Sequence, residues 1–339
     1  MLLRSSFTRA GLMMGLVAIC AMQPLDAAEL EPSTISFKIG SRYNTEFYKD
    51  TMDQRTGWFQ WRTQINYALG LAASPAGNFT LRGVAGTGGS YTSAWNKFAS
   101  TTGQTVPDQV FNMRQIYLQD DYEGWRGQAG VIPPNGGDIP TLGYDSDGWV
   151  RGGRLIAPLG DGDFQLVTGA IDNLDDPNAF NGWEEWNYFG SKLVQPLPWW
   201  ELKGALSYEY LADQNYVGAE LGRAWELDEG MKLHGGLEAL YNFTTPSWAW
   251  AAAARLKTSP VNVTLAYTYI NPRFGLRGEL SDDFFTLGHR LSVNFGGEAF
   301  IKDLKWFANT DIAEQLVRFR VGFTYSFGAS EPGYLARFD

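Results

Sequence analysis

Apolar and polar residues alternate one for one along most of this chain. Residues 59–71 show the pattern most plainly. Phe59, Trp61, Ile65, Tyr67, Leu69 and Leu71 share one face, interrupted only by Thr63, while Gln60, Arg62, Gln64, Asn66, Ala68 and Gly70 take the other. In residues 200–210, Trp200, Leu202, Leu206, Tyr208 and Tyr210 oppose Glu201, Lys203, Ser207 and Glu209. In residues 317–327, Val317, Phe319, Val321, Phe323, Tyr325 and Phe327 oppose Arg318, Arg320, Thr324 and Ser326. A period of two belongs to strands, whose successive side chains leave on opposite sides.

Alternation alone also fits a soluble β-sandwich, and two further features decide between them. Many runs reach ten residues or more, whereas soluble strands average about five or six. Short turns at 74–78, 160–163, 195–198 and 257–260 also alternate with longer polar loops at 95–109, 133–147, 172–184 and 271–283. Short turns on one rim and long loops on the other is the asymmetry of an outer-membrane barrel, apolar toward lipid and polar toward its lumen. The pattern therefore predicts an all-β fold, a closed antiparallel transmembrane β-barrel of about sixteen strands, with fourteen and eighteen as the adjacent even counts. The strands are placed at 34–47, 57–72, 78–94, 109–120, 124–132, 148–157, 163–171, 186–195, 199–211, 215–226, 231–243, 247–257, 260–270, 284–296, 301–310 and 315–327. Alternation is poorest in 148–157, 163–171 and 301–310.

Composition sharpens this picture at three points. Aromatic residues make up 15% of the chain, with 13 Trp and 16 Tyr, as membrane-surface belts require; Trp248 and Trp250 fit such a girdle near the outer rim. Arg4 and Arg9 precede the apolar stretch 11–22, which is too short to span a bilayer as a helix, and small residues follow at Ala27 and Ala28. This predicts a signal peptide over 1–27, the barrel over 28–327 and a periplasmic tail over 328–339, one domain in all, exported to the outer membrane of a Gram-negative cell. A lipoprotein anchor on Cys20 is disfavoured by the bulky Ile19 before it. Without residues 1–27, the 27 basic and 37 acidic residues become 25 and 36, and no cysteine remains. An acidic chain argues against a nucleic-acid partner.

In architecture the chain resembles the general outer-membrane porins across nearly its whole length. A weaker similarity is to the porin-like alginate-export family, carried by Arg114-Gln-Ile-Tyr-Leu-Gln119, Gly127-Gln-Ala-Gly130, Asp145-Ser-Asp-Gly148 and Arg154-Leu155. Porins normally end at the aromatic residue closing the last strand. Phe327 fits that role, yet twelve residues follow it. The resemblance implies a water-filled channel for passive diffusion of small hydrophilic solutes and ions, set in outer-membrane lipid and lipopolysaccharide, and a homotrimer. The small-residue run Ala249–Ala254 offers a flat wall for a subunit contact.

Strand parity points Lys38, Arg42, Arg62, Arg82, Arg114, Arg126, Arg318 and Arg320 inward, and closure sets the last strand beside the first, so these predict one basic wall. The loop 133–147, with Asp138, Asp145 and Asp147, occupies the place of the porins' constriction loop. Opposed charges at a waist create a transverse field that orients polar solutes. The alternative is that inward arginines merely make the polar lumen every wet barrel needs. Asp145-Ser-Asp147-Gly148 begins like a calcium loop but lacks the later acidic positions, so turn chemistry is the reading. Asp172/Asp175/Asp176 and Asp282/Asp283 read as solvated outer loops, with divalent-ion binding alongside lipopolysaccharide as the alternative.

No cofactor or metal site is expected from two histidines and one cysteine. An enzyme reading finds no partners: His289 and Ser292 fall on opposite faces of one strand, and His234 lies about 13 Å along its strand from Glu238. A hydrolase is thus the least favoured alternative, behind a substrate-specific exporter or transporter of a polysaccharide or organic acid.

Overall fold

The structure, a computed structural model, describes residues 32–328 apart from 75–76, 137–141, 183–184 and 229. The expected signal peptide, Asp138 and all of the expected tail except Gly328 lie outside the described residues. Seventeen strands run in chain order: β1 (Thr34–Tyr48), β2 (Gln54–Ser74), β3 (Gly77–Thr87), β4 (Asn96–Ser100), β5 (Phe111–Tyr122), β6 (Trp125–Ile132), β7 (Val150–Leu159), β8 (Gly162–Ala170) and β9 (Tyr188–Leu197), then β10 (Leu202–Leu211), β11 (Gln214–Asp228), β12 (Met231–Asn242), β13 (Ser247–Lys257), β14 (Val261–Ile270), β15 (Gly288–Glu298), β16 (Leu304–Ala313) and β17 (Leu316–Gly328). Sixteen of them pair antiparallel with their neighbours, and β1 pairs with β17 from Ser36↔Gly328 to Tyr48↔Leu316. The sheet is therefore a closed sixteen-stranded barrel, as expected.

β4 is the addition. It falls within the expected loop 95–109 and hydrogen-bonds to β2 at Trp58↔Ser100 and Trp61↔Asn96, above the point where β3 leaves the wall. The expected strand 78–94 is accordingly too long, because residues 88–94 turn away from the sheet. The weak strand 301–310 is present but shifted to 304–313, since its turn uses Asp303 at φ 65° without a glycine or proline to mark it. Every connection at the rim where β1 begins is short, while the opposite rim carries short turns at 49–53, 212–213, 243–246 and 314–315. The four long connections, 88–110, 133–149, 171–187 and 271–287, all leave the opposite rim.

The exterior is apolar. Ile35 and Ile39 on β1, Leu206 and Tyr208 on β10, Leu237 and Tyr241 on β12, and Phe319, Val321, Phe323 and Tyr325 on β17 are all exposed. A soluble protein does not show such a continuous surface; lipid is the solvent it fits. Aromatic pairs such as Phe37–Phe327 and Trp248–Tyr269 lock neighbouring strands across it. Alternate alanines of the 249–254 run turn the other way: Ala249 and Ala251 are fully buried and join the inner core.

That inner core is unlike a globular one. It forms where the long loops fold back inside and pack Tyr91, Leu142, Tyr144, Trp149, Phe274 and Leu280 against the inward faces of Tyr188, Tyr216, Leu240 and Ala249. Replacing lipid-facing Leu206 by Arg should cost about 2–4 kcal/mol near mid-membrane, whereas Arg at lumen-facing Ser326 stays wetted and should cost less than about 1 kcal/mol. Urea-dependent folding into phospholipid vesicles measures both.

Candidate functional site

The β1–β17 seam gathers the inward cations of three adjacent strands. Arg318 and Arg320 come from β17, Lys38 and Arg42 from β1, and Arg62 from β2; Arg42 stands in register with Gly322 on one side and Gln60 on the other. Five of the eight expected wall residues thus share one strip of lumen. Arg114 sits where β5 bulges and is buried beneath the 88–94 segment, donating to the carbonyls of Gly88, Ser90 and Asp147. Arg82 and Arg126 lie apart, lining a cavity toward the short-turn rim with Asp121, which Arg126 binds at 2.5 Å.

Two loops cross the lumen to meet this seam. Loop 133–149 buries Leu142 and Tyr144 against the far wall, then delivers Asp147 to Arg62 at 2.7 Å. Loop 271–287 buries Phe274 and Leu280 in the same core, then delivers Asp283 to Arg318 and Arg320. Asp311 on β16 completes the docking point, accepting from Arg318 at 2.7 Å and from Ser292 at 2.6 Å. Each loop is therefore apolar at one end and acidic at the other.

The loops also bind each other. Tyr144 and Ser281 form an isolated antiparallel bridge, Asp145 N–H donates to the Leu280 carbonyl at 3.1 Å, and Asp282 N–H donates to the Gly143 carbonyl at 2.7 Å. Arg277 pins the pair to the wall: it donates to Glu209 at 2.7 Å and to the Leu142 carbonyl at 2.8 Å, and it lies 4.0 Å from the Tyr144 ring. Behind loop 133–149, a small cavity is lined by Lys192, Glu209, Glu220 and Glu238. Glu220 accepts from Lys192 at 2.6 Å, and Glu220 and Glu238 face each other in register.

The loop carboxylates titrate apart. Burial, then the charges of Asp147 and Asp282, push the Asp145 carboxyl well above its ordinary range. Burial opposes the ionised form of Asp147 too, but Arg62 and Arg114 outweigh it and hold that carboxyl low. Asp283 is held low the same way, against burial, by Arg320 and Arg318. Asp145 accepts the Asp147 N–H at 2.8 Å, an Asx turn, and among the described residues no cluster of metal ligands forms around it.

Four of the strongest anchoring residues, Asp283, Asp172, Arg151 and Arg277, carry no mark of that role in the sequence. Asp283 and Asp172 were expected in solvated loops; instead Asp283 docks on the seam, and Asp172 is buried against Arg151 at 2.8 Å. Arg151 has the outward parity of Leu155, yet residues 178–181 cover it with the carbonyls of Asn178, Ala179 and Asn181. Arg277 had no signal beyond its charge. The histidines stand as parity requires: His289 meets the Tyr267 hydroxyl at 2.7 Å, while Ser292 points inward to Asp311.

No protein-family model and no curated protein matches the chain. Solved structures do. OccAB3 of Acinetobacter baumannii superposes with a TM-score of 0.63 at 9% identity, over 88% of this chain and 99% of that one. OpdQ of Pseudomonas aeruginosa gives 0.60 at 9%, over 89% and 100%. OccK8 (OprE) of Pseudomonas aeruginosa gives 0.58 at 12%, over 90% and 100%. At such identities the likeness is one of fold: the closed, loop-bearing barrel.

Because burial and the neighbouring Asp147 and Asp282 charges raise Asp145, the docked loops are most stable with this carboxyl protonated. That stability is fully present below the ordinary carboxylate range and is lost as pH rises through the elevated value, even though the bond from Asp147 N–H itself favours the ionised form. The Asp145 and Asp282 amides should therefore exchange hydrogen faster at higher pH, after correction for intrinsic exchange. Asp145→Asn should flatten that dependence.

Proposed function

We propose that this protein is an outer-membrane porin, a water-filled channel for passive diffusion of small hydrophilic solutes and ions. The observation that carries the reading is the docking of two infolded acidic loops on a basic seam, inside a closed barrel whose exterior is apolar. A barrel evolved only to anchor a catalytic domain has no need of a polar interior narrowed by charged loops. The structural neighbours are Occ/OprD outer-membrane porins, which supports the same reading.

The seam arginines and the loop aspartates Asp145, Asp147 and Asp283 together form the waist in this account. Opposed charges across it give a transverse field, and the field selects solutes by the arrangement of their charges as well as by size. The pore is narrow and its wall charges poorly screened, so each unpaired charge raises the local concentration of its counter-ion. A hydrolase would need a histidine beside a nucleophile; His289 faces the barrel exterior and Ser292 its lumen, which favours the channel.

Purified protein in planar lipid bilayers should show stepwise ion conductance without added substrate. Replacing Asp145, Asp147 and Asp283 together by Asn should move the reversal potential in a salt gradient toward anion preference, while the variant still folds as a barrel. Absence of conductance in the unaltered protein, with hydrolase activity lost in His234→Ala or His289→Ala, would overturn the channel reading.

A further inference from the structure

The arginines of the seam do not present equal charge to a solute. Arg62 is neutralised by Asp147, and Arg318 and Arg320 share Asp311 and Asp283. Arg114 is buried among carbonyls, and Arg290 donates to the Asp283 carbonyl at 2.7 Å. Arg42 differs. Among the described residues no carboxylate or backbone carbonyl accepts from it; its Nε donates to the neutral Gln60 Oε1 at 2.7 Å, and its guanidinium lies 4.2 Å from the centre of the Trp95 ring. Its charged neighbours are chiefly of its own sign, Arg320, Arg318 and Arg62, with Asp283 already engaged by two of them.

The surroundings are built to hold it there. Trp95 immediately precedes β4, and the pairing of Asn96 with outward-facing Trp61 turns Trp95 into the lumen. Asn96 fixes this segment by donating to the Val110 carbonyl at 2.9 Å and accepting from Gly88 N–H at 3.2 Å. Two glycines make the room. A Cβ on Gly40 would stand 3.0 Å from the Trp95 ring, and one on Gly322 would stand 2.7 Å from Arg42 Cβ. Phe307 closes the far side of Trp95, with ring centres 6.3 Å apart. An aromatic face holds a guanidinium without cancelling its charge, whereas a carboxylate would cancel it.

We propose that Arg42 is the principal charge setting anion preference at the waist, and that Trp95 is a positioning residue that holds it and narrows the lumen beside it. Lys38 has the same sign, but it lies beside the Asp147 carboxylate that Arg62 already binds, and among the described residues no ring or hydrogen-bond partner fixes its ammonium. This rests on the channel reading above, and the experiment separates the two. Reversal potentials in a potassium chloride gradient are measured for the unaltered protein and for Arg42→Gln, Arg42→Lys and Trp95→Ala, each first shown to fold as a barrel. Arg42→Gln should lower the anion-to-cation permeability ratio by about two- to threefold, since one uncompensated charge in a narrow pore governs local counter-ion concentration. Arg42→Lys should keep most of the ratio, and Trp95→Ala should lower it part-way while raising conductance. A conducting protein whose ratio is unchanged by Arg42→Gln, or falls equally in Arg42→Lys, overturns the role of Arg42. A Trp95→Ala variant with unaltered ratio and conductance removes the role of Trp95, and a protein that conducts in no form overturns the channel reading along with both.

Discussion

A strand inside a bilayer has no water to satisfy its backbone, so every N–H and C=O must find a partner on a neighbouring strand. In this chain the requirement is met only when β17 returns to β1, along a ladder running from Ser36↔Gly328 to Tyr48↔Leu316. That one pairing does more than remove two exposed edges. It carries Arg318 and Arg320 from one end of the sequence to Lys38, Arg42 and Arg62 near the other, and so creates the basic strip on which the loops dock. The electrostatics of the lumen follow from the hydrogen-bond closure of its wall.

The loops answer two demands at once. Their apolar residues need a dry place, and the small inward side chains Ala249 and Ala251 with the rings of Tyr188 and Tyr216 supply one inside the barrel. Their carboxylates need partners, since a buried charge without one is costly. Arg62, Arg318 and Arg320 meet Asp147 and Asp283, and Arg277 meets Glu209. The loops are thus anchored at two ends and tied to each other by the Tyr144–Ser281 bridge. A lumen narrowed this way has walls of fixed charge, as the proposed selective diffusion requires.

Strands were legible in the sequence because lipid and lumen impose opposite chemistry on successive residues; the faces of 59–71 and 317–327 could be assigned residue by residue. Position along a strand was less legible, since a turn such as the one at Asp303 carries no glycine or proline to mark it. The seam was legible too, from parity plus closure. The docking partners were legible only in part. Asp145 and Asp147 were drawn in by their loop's place in the chain order, but nothing local distinguishes Asp283 from a solvated aspartate or predicts that Arg277 lies within reach of Glu209, 68 positions away. Arg151 shows the limit of parity: its face should meet lipid, and only a distant loop segment alters that. β4 and Trp95 escaped because 95–109 is polar and short of alternation, though its one tryptophan beside Asn96 turns out to face the seam.

The proposed channel requires the strip between the seam and the docked loops to be a continuous aqueous path. Cysteine accessibility tests this directly, in a chain whose one cysteine, Cys20, is replaced by serine. A single cysteine placed at lumen-facing Asn66 or Asn309 should react with a charged, water-soluble thiosulfonate applied from either side, and the single-channel current should fall on reaction. A cysteine at outward-facing Val321 should leave the current unchanged. Current that persists after complete modification at both lumen positions would contradict an aqueous path along the seam.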